Sequence, residues 1–346
     1  MDGTILLFLL QDGITNGAIY ALLGIALVLV FAVTRVIFIP QGEFVAFGAL
    51  TYALLESGRL PGTVWLLVGF GVAAFVFDLV ALRRSGFTPA RLTSAAIVDL
   101  VIPGLLAAAT WSIAGMGLGN VVHFALTVAL ITPLGPLLYK IAYRPIADAS
   151  VLTLLIASVG VHLALVGLGL VFFGAEGLRA PAVSDLMLTV GPLIVTAQSI
   201  AVYVVTAIAI LALWLFFERT LWGKALRATA VNGLGARLVG IRTAFSGTLA
   251  FALAASVGAL SGILVAPMTT IYYDTGFLIG LKGFVAAIIG GLASHPLTAL
   301  AALAVGTVES LAAFFASDMK EIVVFSLILP VLVWRSLTAT HVEEED

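Results

Sequence analysis

The sequence contains no cysteine, and only 10% of its 346 residues are charged. The missing thiols exclude disulfides and thiolate-held metals. The scarcity of charge excludes an ordinary soluble domain, in which roughly a quarter of residues are charged. With 62% of residues hydrophobic, the composition is that of a chain crossing a bilayer many times. A nucleotide-binding Walker loop is also lacking: Gly223 and Lys224 are adjacent, but Glu218 stands where the first glycine should be and Ala225 follows the lysine. HExxH, CxxC and GxSxG are absent, so an enzyme reading has no motif and no cofactor is expected on this chain. The four histidines have no partner at ligand spacing, and no metal site is expected. No Lys or Arg precedes the first apolar run, so the basic start of a cleaved signal peptide is missing and the N-terminus is expected to persist.

What is present is a series of long apolar runs. A spanning helix needs about 20 mostly apolar residues. Spans are read near 15 to 34, 42 to 55, 62 to 82, 96 to 118, 121 to 140, 151 to 173, 189 to 217, 244 to 266, 281 to 316 as a broken pair hinged at Ser294, His295 and Pro296, and 322 to 335. The short run at 42 to 55 carries Glu43 and is read as tilted, re-entrant or beginning earlier, and the pair at 281 to 316 is likewise read as a place for half-helices. Alternating these spans puts Arg35, Arg83, Arg84, Arg91, Lys140, Arg144, the basic residues of 218 to 243, and Arg335 on one side. Only Arg59, Arg179, Lys282 and Lys320 remain for the other. By the positive-inside rule the N-terminus is outside and the C-terminus cytoplasmic. The expected fold is all-α: one polytopic transmembrane helical bundle over 1–346, of about ten spans, some broken or re-entrant. The acidic end, Glu343 to Asp346, reads as a solvated tail.

The polar island 218–243, ERTLWGKALRATAVNGLGARLVGIRT, cannot cross hydrocarbon, because each Lys or Arg at mid-depth costs about 2.5 to 3.5 kcal/mol. Leu221, Trp222, Ala225, Leu226, Ala230, Leu234, Leu238 and Ile241 recur near helical spacing and predict a partly apolar face that needs a partner. A helix is expected from about Gly223 to Ala230, a break at Asn232 and Gly233, and a second helix to about Val239. Asn232 serves as N-cap and Gly240 takes the left-handed turn. A basic loop that only fixes topology or meets anionic lipid is the simpler alternative.

Few ionisable groups lie inside the runs. Glu43 is expected to open a helix near the cytoplasmic face, with Arg35 near enough to pair, either as an anchor or in a gating or substrate role. Asp78 and Asp99 flank the basic loop around Arg83 and Arg91 and are expected to form interfacial salt bridges. Glu309 lies in the apolar run TVESLAAFF, either packed and hydrogen-bonded or lining a pore. His123 and His162 read as interfacial or packed, and His295 as a turn residue. No chain of carboxylates crosses the membrane, which disfavours a proton-driven carrier. Glycine pairs at Gly13 and Gly17, Gly258 and Gly262, and Gly276 and Gly280 predict close helix packing. Gly276, Gly280, Gly283, Gly290 and Gly291 also flank the broken pair, where irregular backbone at depth points to a substrate path.

The run GKALRATAVNGLGARLVGI, with NGAIYALLGIALVLVFAVTRVI, QGEFVAFGAL, YRPIADASVLTLLIASVG and GFLIGLKGFVAAIIGGLASHPLTALAALAVGTVESL, resembles the permease subunits of branched-chain amino acid ABC importers, over about 15 to 58 and 121 to 335. The resemblance implies that Gly223, Ala225, Leu226, Arg227, Ala228 and Ala230, with Ala236, Arg237, Leu238, Gly240 and Ile241, couple to a separate ATPase. It also implies a second permease subunit, two cytoplasmic ATPase subunits that use ATP, an external substrate-binding protein, and a bacterial-type inner membrane with its lipid. Nucleic acid is not an expected partner. Urea or short amides are the alternative cargo, and a self-sufficient ion-coupled carrier using Glu43 and Glu309 is the alternative class. Three departures stand out. Members usually place His before the Gly-Glu where this chain has Gln41. Acidic residues are common where Gly233 to Gly235 stand, which predicts a later or looser second helix. Residues 60–120 read as an extra pair of spans.

Overall fold

The computed structural model describes residues 3–85, 89–184 and 186–338. The acidic tail, and residues 86–88 of the basic loop, lie outside them. The chain folds as helices: α1 (Gly3–Thr34), α2 (Gln41–Glu56), α3 (Thr63–Ser85), α4 (Pro89–Ile113), α5 (Asn120–Ile146) and α6 (Val151–Phe173). A hairpin follows, β1 (Met187–Val190) and β2 (Leu193–Thr196), antiparallel with Met187 opposite Thr196. Then come α7 (Ala197–Arg219), α8 (Leu221–Val231), α9 (Gly233–Leu238), α10 (Thr243–Val265), α11 (Thr275–Ile289), α12 (His295–Phe315), α13 (Lys320–Ser326) and α14 (Ile328–Thr338). Among the described residues, eight of these helices are long and apolar enough to cross a membrane.

Several boundaries differ from those the apolar runs suggest. α1 begins at Gly3, α4 at Pro89 and α7 only at Ala197, because the stretch expected to open that span at 189 pairs as the hairpin around Gly191, at φ +59°. The run at 322 to 335 is two short helices. Hydroxyl caps fix other starts: the side chains of Ser150, Thr196 and Ser294 accept from the N–H of Thr153, Ser199 and Leu297.

α1, α2 and α10 form the centre, while α3, α4, α6 and α7 are largely exposed around it. Between helices in lipid no hydrophobic effect drives contact, so close backbone approach has to supply it. Gly13 and Gly17 of α1 sit against the α12 backbone at Thr307 and Leu303, where a side chain could not fit.

Two helices are interrupted. Beyond α1 the chain turns at Arg35, held at φ +60°, and runs without helix to Pro40. Gln41 Nε2 then donates to the carbonyl of Ala254 at 3.0 Å, and Ala254 is eleven residues from either end of α10 (Thr243–Val265). α2 therefore begins at mid-height. Gly42 abuts Gly276, so α11 begins at the same height after the non-helical stretch from Ala266 to Asp274. α2 runs away from the island end, with Gly48 on Ala259 and Val45 against Gly262. α11 runs toward it, since α12 starts close by with His295 beside Phe217 of α7. At 1.5 Å per residue each is about 22 to 24 Å long, short of the roughly 30 Å of hydrocarbon.

Candidate functional site: a mid-height junction and an end-on helix pair

At the junction the starts of α2 and α11 meet. Glu43 is in the first turn of α2 and is fully buried. Its Oε1 is 2.8 Å from His162 Nδ1, and its Oε2 has no partner among the described residues. His162 is eleven residues from each end of α6 (Val151–Phe173), and its ring stacks on Phe277 of α11 at 4.5 Å. Three helices thus place an acid, a base and an aromatic ring at one depth. Glu43 is consequently not at the end of the bundle, and its partner is His162 rather than Arg35. The short α2 and its non-helical approach lift it to mid-depth. A carboxylate there is tolerable because an imidazole pairs with it and the positive end of α2 surrounds it.

Gly276 and Gly280 both face Gly42, and Gly283 faces Leu23 and Gly24 of α1. Together with Gln41 and Glu43 they form one contact region. Gly290 and Gly291 lie apart from it, at the turn into α12, where Gly290 abuts Thr298 and Gly291 has φ +80°.

Glu309 belongs to a separate cluster. Tyr20 O–H donates to Glu309 Oε2 at 2.6 Å, and Lys282 Nζ donates to Glu309 Oε1 at 2.5 Å and to Glu321 Oε1 at 3.2 Å. Lys282 was expected at the surface opposite the island, at the start of the span read from 281. It is buried instead, because α11 starts at Thr275 and so carries Lys282 two turns into the bundle. Asp78 and Asp99, expected in salt bridges beside the loop of Arg83 and Arg91, both lie 2.5 Å from Lys140, which is inside α5. His123, read as interfacial or packed, is buried and lies 2.9 Å from Glu56 at the end of α2.

The stretch after α10 and the face of α6 beside it are open. Thr269, Thr270, Tyr272 and Asp274 are exposed on non-helical backbone, and Leu152, Ile156, Leu163 and Val171 form an exposed stripe along α6. Gly160 and Gly167 in that stripe have open space beside them.

The island folds as α8 and α9. Thr220 Oγ1 accepts from Gly223 N–H, Asn232 Oδ1 accepts from Gly235 N–H at 2.8 Å, and Gly240 closes α9 at φ +88°. α9 starts at Gly233 at once, neither later nor displaced, since the Asn232 cap satisfies its first turn despite the glycines. The apolar positions divide between two surfaces instead of forming one face. Leu226 is buried with Leu29, Phe217 and Ala250, and Gly223 and Ala236 are buried too. Ala225, Ala228, Ala230 and Ile241 are half-buried. Leu221, Leu234 and Leu238 are 83%, 70% and 81% exposed. Arg227 is 2.5 Å from Glu218, and Arg237 donates to Thr243 Oγ1 at 3.0 Å and Asp148 Oδ1 at 3.4 Å.

Residues 87–332 match the family model described as branched-chain amino acid transport system, permease component. The chain is 26% identical over 345 residues to the high-affinity branched-chain amino acid transport system permease protein LivH of Escherichia coli K12, covering 96% of this chain and 95% of that one. It is 26% identical over 293 residues to the permease protein BraD of Pseudomonas aeruginosa, covering 81% and 92%. Among solved structures it is similar to PsaBC from Streptococcus pneumoniae in complex with Fab, at TM-score 0.37 and 14% identity over 96% and 95% of the two chains.

Proposed function

Since the chain belongs to the family of branched-chain amino acid transport permease components, we propose that it is the membrane subunit of an ABC importer and forms its path with a second permease. Two cytoplasmic ATPase subunits and an external binding protein complete the assembly. The cargo is a branched-chain or other hydrophobic amino acid. The observation that carries this reading is the α8–α9 pair. One side of it is sunk into the bundle through Leu226, while the other presents exposed leucines among basic residues. Apolar side chains in water are costly unless something covers them, and a contiguous set rimmed by charge marks an interaction surface. Covered by an ATPase, the pair moves with it and carries α1, α7 and α10 along through Leu226. The junction supports the rest of the reading: non-helical backbone at membrane depth requires protein or water beside it. The open face from Thr269 to Asp274 and along α6 is therefore the side on which the second permease and the path lie.

Leu238→Asp and Arg237→Glu test this. Each is expected to abolish ATPase association and uptake while membrane insertion is retained. Wild-type uptake in both variants would remove the basis of the coupling. The buried Glu43–His162 pair favours, as second reading, an ion-coupled carrier. Uptake by the purified chain alone that collapses with an uncoupler would establish that reading instead.

A further inference from the structure

We propose that the cleft between the α3–α4 pair and the rest of the bundle holds the phosphate of one anionic phospholipid. The cleft has a volume of about 820 Å3 and lies among α3, α4, α5 and the start of α10. Leu82, Val98, Leu137 and Phe245 give it apolar walls. Among the described residues its charged groups are Asp78, Arg91, Asp99, Lys140, Arg144 and Arg242.

Two of these groups share a third as their ion-pair partner. Lys140 Nζ lies 2.5 Å from Asp78 Oδ2 and 2.5 Å from Asp99 Oδ2. Asp99 is 1% exposed, and it and Lys140 each occupy a π turn, Ile97–Val101 and Tyr139–Tyr143. Such turns are rare and gather at functional sites. Two helices widened at matching points to bring one carboxylate to one ammonium make a braced wall rather than a chance contact. The remaining charges are three guanidinium groups. Among the described residues, Arg91, Arg144 and Arg242 pair with no carboxylate. The cleft thus has four cations against two anions, an excess suited to a phosphodiester, which guanidinium groups bind through paired N–H donors.

Depth selects the lipid over free phosphate. Arg91 is in the first turn of α4, Arg144 is in the last turn of α5, and Arg242 immediately precedes α10. These helix ends meet at the island end, where headgroups lie, while Leu82, Val98 and Leu137 extend the cleft along spanning helices as an acyl chain requires. The inference does not depend on the transport reading.

Native mass spectrometry of the full chain, with phosphatidylglycerol and phosphatidylethanolamine offered together, tests it. Retention of one phosphatidylglycerol in preference is expected. Arg91→Gln and Arg242→Gln should each lower that retention about fivefold, the usual effect of one basic residue at an anionic surface. Arg219→Gln, exposed and outside the cleft, should not. Inorganic phosphate in excess should leave the lipid in place. A photoactivatable phosphatidylglycerol should crosslink to α4 and to the start of α10, a readout that needs no variant. Equal retention of both lipids, an equal loss in Arg219→Gln, displacement by inorganic phosphate, or crosslinks confined to α6 and α7 would each overturn the proposal.

Discussion

His162 shows what a single polar side chain does in this bundle. Its 2.8 Å contact with Glu43 joins residues 119 positions apart in sequence, and Glu43 Oε1 would otherwise be a buried acceptor without a donor. Removing one member of a buried pair leaves the other uncompensated, typically at a cost of about 3 to 5 kcal/mol, whereas replacing both is often close to neutral. His162→Leu should therefore destabilise the purified protein by about that amount, and Glu43→Leu with His162→Leu should recover most of the loss. Thermal unfolding in detergent measures both. Additive losses would show that the two groups do not interact. Local chemistry drew attention to Glu43 in the sequence, since a carboxylate in an apolar run is costly. Its partner was not legible, because a histidine among apolar residues says nothing about which distant helix it faces. The same holds for Lys282, read at the edge of its span, whose partners Glu309 and Glu321 lie 27 and 39 positions further along the chain.

At the scale of elements, the two half-length helices depend on contacts that only glycine permits. A Cβ on Gly42 would meet the carbonyl of Gly276, and a Cβ on Gly276 would meet the carbonyl of Gly42. Overpacking of this kind costs about 1 to 3 kcal/mol or more. Gly42→Val should therefore lower the yield of monodisperse protein sharply, whereas Gly69→Ala, with open space around it, should leave that yield unchanged. Size-exclusion profiles of the two variants decide the point. The island was more legible than the junction, because its structure is set by neighbouring residues. Asn232 caps and Gly240 turns through local hydrogen bonding, which a sequence displays directly. α11 starts six residues before the expected 281, because Asp274 stands at its N-cap without making a side-chain cap bond and the start is fixed instead by the packing of Gly276 and Gly280 on Gly42, a contact between distant segments.

For the whole molecule, the distribution of basic residues predicts that the α8–α9 end is cytoplasmic. The absence of native cysteine makes this directly measurable. Leu234→Cys, at an exposed position on the island, should react with an impermeant maleimide only in inside-out vesicles, and Thr270→Cys only in right-side-out cells. The reverse pattern would invert the orientation and remove the ATPase from the α8–α9 surface.

The sequence alone determined that the chain lives in a bilayer, where its apolar runs fall, which segment must stay in water, and how that segment caps and turns. These follow from transfer free energies and short-range hydrogen bonding, which depend on composition and on neighbours a few positions away. Only the tertiary structure decided that two helices begin at mid-height and meet start to start, that Glu43 answers to His162, that Lys140 braces two aspartates, and that Leu226 turns inward while Leu238 faces out. Each of these depends on which helices pack together and at what relative height. Helices of nearly uniform apolarity carry little record of that, because any of their faces could be turned toward the lipid.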